Sequence, residues 1–440
     1  MTDVISFIHE AKWDDFSPDI KHSAIRALID TLGVSAAGSQ TELSRIICNH
    51  VVRHFGGDAA SLWWDGRRVS PVGAALANGM TIDSLDAHDG QLLCKGHIGC
   101  GLIPGLFAMA EAENKLDALD ILTSLVIGYE IGTRAGVSLH ASAPDYHTSG
   151  AWIAVTVAAV GARILSLDSN KTREAMGIAE YHGPRSQMMR CIDFPTMVKD
   201  GSGWGSMAGV SAAYLASDGF TGAPAVTIEG EDVSEYWKDL GKHFYIKEQY
   251  IKLYPVCRWA QPAVEAVLGL IREHHIAPEK IESITIDSFY EAKKLCSMAS
   301  NTEQAQYSLP FSVAVAAVRG TIEISDVTHA GLTNPIIQEL ARKVKITDNE
   351  NFNAVFPTQR LAMAVIVTKD GKKFRSGVTR ALGDPEDGVS DSVISNKFRV
   401  MAGSRLDLDV VNAFEAELSG ISEVKDIRNL LEILSKSRRL

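Results

Sequence analysis

Three aspartates, two histidines and a lysine crowd into positions 83–97, as Asp83-Ser-Leu-Asp86-Ala-His88-Asp89-Gly90 followed by Lys95-Gly96-His97-Ile98-Gly99. An imidazole can move a proton near neutral pH, a carboxylate can share that work, and a cation stabilises charge that develops on oxygen. Apolar, helix-like stretches at Gly73 to Met80 and Ile103 to Ala110 flank the cluster. It therefore falls where buried elements meet, a common setting for a site. A solvated turn whose aspartates cap a helix is the plainer reading. Asp86, His88, Asp89 and His97 are also possible metal ligands, but they follow no recognised ligand spacing.

Three other segments offer related chemistry. In Asp145-Tyr146-His147-Thr148-Ser149-Gly150 a histidine precedes a small-residue helix, whose N-terminus favours a neutral imidazole and nearby anions; helix capping would explain the same residues. In Lys199-Asp-Gly-Ser-Gly-Trp-Gly205-Ser-Met-Ala208, the Gly203-x-Gly205-x-x-Ala208 spacing nominally matches a dinucleotide fingerprint. It lacks the preceding buried strand and the βαβ unit that such a site requires. A Gly-rich loop opening a helix beside Lys199, suited to a carboxylate or phosphate, fits better, and a solvated lysine is the bland alternative. In Lys252-Leu-Tyr254-Pro255-Val-Cys257-Arg258-Trp259, basic residues alternate with aromatic ones at an apparent domain junction. Such junctions often form pockets, although a basic linker reads the same way. Cys257 has no base linked to it by sequence and reads as a structural residue.

The elements that position these segments follow from periodicity. Ile25, Leu28, Ile29 and Leu32 recur at helical spacing, as do Ala118, Ile121, Leu122 and Leu125. The runs 150–165 and 205–216 are rich in Ala and Gly and read as closely packed helices. Ile284 and Ile286 then alternate with polar residues, and Asp370-Gly371 separates the β-rich run 362–368 from a second run ending at Val378, which predicts a hairpin. Leu309 to Val318 and Pro335 to Val344 read as helices. The expected layout is a helical domain over 1–250, an inserted α+β domain over 251–385, and C-terminal helices over 386–440 that return to the first domain.

Composition narrows the function classes. The 440 residues carry 43 Lys plus Arg against 54 Asp plus Glu, a formal charge of -11, with 46% hydrophobic and 22% charged residues. This describes a globular chain with room for a large core and more than one domain. A net anion without basic stripes argues against nucleic acid as a partner. The six cysteines are dispersed without a C-x-x-C pair, which fits a reducing compartment. No signal peptide is read in Met1 to Phe16, which carries Asp3, Glu10, Asp14 and Asp15, and no apolar run reaches the roughly 20 residues of a membrane span. A cytoplasmic setting with no membrane partner is expected.

Taken together, the segments resemble the MmgE/PrpD family, which includes 2-methylcitrate dehydratase, cis-aconitate decarboxylase and iminodisuccinate epimerase. The resemblance runs through Leu28-Ile-Asp30-Thr-Leu-Gly33, Ala77-Asn78-Gly79, Leu85-Asp86-x-x-Asp89, Gly96-His97, Lys252-x-Tyr254-Pro255-x-Cys257, Glu303-Gln-Ala305-Gln-Tyr-Ser308-Leu-Pro310-Phe and Gly383-Asp-Pro385. It implies a mainly α fold: a large all-helical domain formed from both chain ends, carrying a smaller α+β lid domain, in a homodimer. Asp86, His97, His147, Lys199 and Lys252 resemble the residues that line the family's active site, with His88, Lys95 and Arg258 as further substrate-binding candidates. The implied activity is that of a lyase of the dehydratase type on a small di- or tricarboxylate, requiring neither cofactor nor metal. His147 or Asp86 would move the proton, His97 would assist the leaving group, and Lys199 and Lys252 would hold carboxylates. An epimerase, a decarboxylase and a non-catalytic carboxylate-binding protein are the alternatives on the same scaffold.

The chain departs from the family pattern at four places. Asp86-Ala87-His88-Asp89-Gly90 lacks the aromatic ring and the threonine commonly found there, Lys95 replaces a tryptophan, Ile98 a proline, and Gln261 a histidine. These differences point away from 2-methylcitrate and toward a more anionic or amino-substituted polycarboxylate.

Overall fold

The computed structural model describes residues 3–436. Ten helices dominate its first half: α1 (Val4–Glu10), α2 (Pro18–Gly38), α3 (Glu42–His54), α4 (Pro71–Asp83), α5 (Gly99–Ala112), α6 (Ala118–Ser142), α7 (Gly150–Ile164), α8 (Ser169–His182), α9 (Met188–Asp193) and α10 (Ser202–Ser217). The periodic segments at 22–34, 118–125, 150–165 and 205–216 thus fall in α2, α6, α7 and α10. One departure is a two-stranded ribbon, β1 (Ala60–Ser61) against β2 (Arg68–Val69), too short to leave a period-2 signature.

Helices α4, α5, α7 and α10 pack on one another at the centre. Their glycines make this possible. A Cβ on Gly79 would lie 2.7 Å from Gly203 Cα, one on Gly203 would strike the Leu76 carbonyl and lie 2.7 Å from Met80 N, and one on Gly205 would strike the Gly150 carbonyl. Backbones in direct contact leave no room for a methyl group in an interior packed at crystal-like density.

The second half holds a small mixed sheet in the order β4-β3-β5-β6, with β3 at Ile281–Ser288, β4 at Val344–Asp348, β5 at Leu361–Thr368 and β6 at Lys373–Arg375; β7 (Thr379–Arg380) pairs with β5. The expected hairpin is present: Val367 pairs with Lys373 across a turn in which Gly371 has φ +83°. The buried face of β5 is an alternating set, Ala362, Ala364 and Ile366. Helix Pro335–Ala341 ends earlier than the sequence suggests, because Val344 instead begins β4, parallel to β3. The β-branched, alternating Val-Lys-Ile-Thr favours a strand locally, whereas its parallel partner β3 is set by long-range pairing.

Helices Asp391–Gly403, Leu408–Ser419 and Arg428–Leu434 end the described chain. The first lies on α2, where Phe398 fills the space over Gly33. The fold is mainly α with a smaller α+β part. Among the described residues no helix is long and apolar enough to cross a membrane.

Candidate active site

Helix α4 ends at Asp83, and the chain turns sharply into the polar cluster. Asp86 adopts a left-handed backbone, φ +50°, as do Lys95 (φ +57°) and Lys199 (φ +50°). A non-glycine residue pays about 1–2 kcal/mol for this conformation, and such strain tends to gather where a side chain must be aimed. Lys397, from helix Asp391–Gly403, braces the loop: its ammonium donates to the Ala87 carbonyl (2.7 Å) and pairs with Asp30 (2.6 Å). Tyr129 on α6 donates to Asp89 Oδ2 (2.6 Å).

Lys252 and Asp86 form the centre. Lys252 Nζ donates to Asp86 Oδ1 (2.5 Å) and to the Asp86 carbonyl (2.9 Å), and both side chains are almost wholly buried. Burial alone would raise the Asp86 carboxyl, but Lys252, Lys199, His97 and His88 outweigh it and hold it below the ordinary range. Burial works against the Lys252 ammonium as well, and Asp86 more than restores it, leaving its pKa raised.

His97 stands beside this pair. Its Nδ1 donates to the Asp89 carbonyl (2.5 Å), its backbone N–H donates to Ser149 Oγ (2.9 Å), and its ring meets His88 edge-on at 4.3 Å. Because a carbonyl only accepts, the proton sits on Nδ1 and the Nε2 lone pair is left as a base. Burial, Lys252 and His88 lower its pKa well below that of a free imidazole, so the ring is neutral at physiological pH. His88 is fully buried, with Nε2 at 3.5 Å from Asp83 Oδ1.

Lys199 joins the cluster from the α10 side. Its ammonium donates to Gln306 Oε1 and lies 4.5 Å above the Tyr307 ring. It also lines a cavity of about 460 Å³ with Thr148, Gln187, Cys191 and Trp204. The Gly-rich cradle expected at this point is already filled, since Ser202 N–H at the start of α10 donates to Asp83 Oδ2 (3.2 Å). Gly203 and Gly205 serve helix packing instead.

The remaining candidates lie around this core. His147 is buried, donates from Nδ1 to the Asp145 carbonyl (2.8 Å), and has a lowered pKa caused first by burial. No direct contact joins it to Asp86 or Lys252; it reaches the cluster through its neighbours Thr148, which lines the cavity, and Ser149, which holds His97. Lys95 is half-buried over the Tyr146 ring at 5.2 Å. Arg258 has protein partners at both ends of its guanidinium: Asp384 (2.5 Å), the Leu382 carbonyl (2.6 Å) and Gln261 (3.0 Å). Cys257 is buried and its thiol is pushed up to about 12, chiefly by desolvation, which leaves it unreactive.

Several residues escaped the sequence reading. Asp200, next to Lys199, accepts from Ser149 Oγ and has its carboxyl raised to about 7 by burial and by Asp83 and Asp86. Gln306 and Tyr307 lie within the Glu303 to Phe311 motif, whose pattern assigns no role to these side chains. Tyr250 sits two residues before Lys252, and Arg360 immediately precedes β5 with no motif around it. Among the described residues, no three His, Cys, Asp or Glu side chains are grouped to hold a metal ion.

A mainly α scaffold with a small α+β part, holding imidazole, carboxylate and buried cations where its elements meet, defines the class. Residues 2–237 match the MmgE/PrpD N-terminal domain and residues 254–418 match the MmgE/PrpD C-terminal domain. The chain belongs to the MmgE/PrpD family. It is similar to cis-aconitate decarboxylases from Aspergillus terreus (22% identical, covering 96% of this chain and 93% of the relative), Mus musculus (23%, 97% and 91%) and Homo sapiens (22%, 97% and 92%).

Proposed function

We propose that this chain is a lyase that removes a proton beside a carboxylate of a small di- or tricarboxylic acid. The observation that carries this reading is the neutral His97, with its Nε2 lone pair unspent by the Nδ1 hydrogen bond, next to the buried Asp86–Lys252 pair. His97 Nε2 accepts the proton from carbon. Lys252 and Lys199 stabilise the negative charge that spreads onto the carboxylate oxygens, in a buried setting where cations act strongly. Asp86 orients Lys252, the imidazolium that His97 becomes hands its proton to the departing hydroxyl so that it leaves as water, and His147, its Nδ1 proton given to the Asp145 carbonyl, offers its Nε2 lone pair to a substrate hydroxyl. Lys95 adds positive charge at the rim, and His88 supports His97. Arg258, engaged by Asp384 and Leu382, holds the α+β part rather than substrate.

Loss of water from a hydroxy acid is the leading reaction. Decarboxylation is the second reading, favoured by the names of the similar proteins. Proton return to the opposite face, an epimerisation, needs the same first step. The homodimer implied by the family is part of this proposal, and sedimentation velocity tests it. Incubating the chelator-treated protein with hydroxy-, unsaturated and amino-polycarboxylic acids in D₂O, followed by NMR and mass spectrometry, tests the chemistry. Deuterium at a carbon beside a carboxylate is expected, and loss of water, loss of carbon dioxide or no mass loss selects the reaction. Failure to exchange or convert any acid of the panel would remove the lyase reading.

A further inference from the structure

The cations of the cleft differ in how they are compensated. Lys252 is paired with Asp86, Lys199 donates to Gln306, and Arg258 is held by Asp384. Arg360 is only 5% exposed, yet its Nε and Nη1 have no hydrogen-bond partner. Glu291 feels its charge without pairing with it among the described residues. A buried guanidinium with unspent donors is costly unless an anion arrives to meet it.

What Arg360 does contact is Tyr250. Its guanidinium carbon lies 5.5 Å from the Tyr250 ring centre. Both groups carry protons to give, since arginine only donates and a phenol can donate its O–H. Tyr250 in turn lies over Gly90. The two residues pair backbone to backbone, Tyr250 N–H to the Gly90 carbonyl at 2.7 Å, and a Cβ on Gly90 would strike the Tyr250 hydroxyl while lying 2.7 Å from His97 Nδ1. The absence of a side chain at position 90 is what lets the phenol stand next to His97, with their rings 6.3 Å apart.

We infer that Arg360 and Tyr250, seated over Gly90, form a second carboxylate subsite. Arg360 donates from its unspent guanidinium N–H groups and Tyr250 from its hydroxyl, while the Lys199 and Lys252 side takes the other end of the molecule. This rests on the polycarboxylate reading above and adds the residues that make a second carboxylate necessary. A guanidinium stays charged when buried and offers its donors along fixed directions, which suits a carboxylate better than a mobile ammonium does.

Calorimetric titration of the full chain with pentanedioate and pentanoate, equal in length and differing by one carboxylate, tests the subsite. The wild-type chain is expected to prefer pentanedioate by about tenfold or more, the scale of one charge-assisted contact. Arg360→Gln and Tyr250→Phe should each erase most of that preference while leaving pentanoate affinity within about twofold. Tyr250→Phe keeps the ring and its packing, so it reports even where Arg360→Gln fails to fold. A preference undiminished in either folded variant overturns the subsite alone. A wild-type chain that binds neither acid overturns the carboxylate reading and the subsite together.

Discussion

The Lys252 ammonium lies 2.5 Å from Asp86 Oδ1 and 2.9 Å from the Asp86 carbonyl, so one residue of the turn after α4 satisfies a cation 166 positions away twice over. Removing one partner leaves a charge buried without compensation. Lys252→Met is expected to destabilise the protein by roughly 3–5 kcal/mol and to cost activity. Adding Asp86→Asn in the same chain should recover most of the stability and none of the activity. Denaturant unfolding of the two single variants and the double variant, alongside turnover, measures both.

The pH profile distinguishes His97 from an ordinary histidine. Its pKa is lowered, so the basic form persists below pH 6.5 and kcat/KM should show no acid limb at that value. His97→Gln should lower kcat about 100-fold or more while the protein stays folded. An acid limb near 6.5 that persists in Asp200→Asn would show that burial does not hold this imidazole neutral.

Asp200 gives a separate pH signature. Its carboxyl is raised to about 7 from an ordinary value of 3.8, first by burial and then by Asp83. The folded state therefore holds a proton that the unfolded chain has lost. The stability this contributes is full below about pH 4, falls as pH rises, and levels off above about 7. Asp200→Asn should flatten that slope. Unfolding free energies measured at several pH values for both proteins compare the two, and an activity limb near 7 that vanishes in Asp200→Asn belongs to this residue.

Gly203 tests whether the Gly-rich stretch serves packing. Gly203→Ala is expected to destabilise by about 1–3 kcal/mol, because its methyl meets the Leu76 carbonyl and Met80 N. A lowered Tm with unchanged Kd for a polycarboxylate would fit packing. Unchanged stability with weakened binding would return the glycines to a ligand cradle.

Much of the scaffold was legible locally. The apolar spacing of Ile25, Leu28, Ile29 and Leu32 needs only the 3.6-residue turn, and Asp370-Gly371 needs only the φ +83° that Gly371 adopts. The candidate site was legible as a set of residue types around 83–97, and Asp86, His97, Lys199 and Lys252 do converge. What each cation does was not legible. Lys199 and Arg258 look alike in the chain, yet one lines a cavity and the other is neutralised by Asp384, 126 residues away.

Residue order alone determined which segments form helices, where the β-rich part begins, and which side chains are chemically able to act, because these depend on neighbours a few positions apart. Tertiary structure alone decided that Gly203 and Gly205 let helices touch rather than cradle an anion, that Val344–Asp348 pairs in parallel with β3, that Tyr250 takes the space over Gly90, and that Arg360 is buried with unspent donors. Those outcomes depend on which distant groups meet, and on whether a buried charge finds its partner within the chain or must await one from outside.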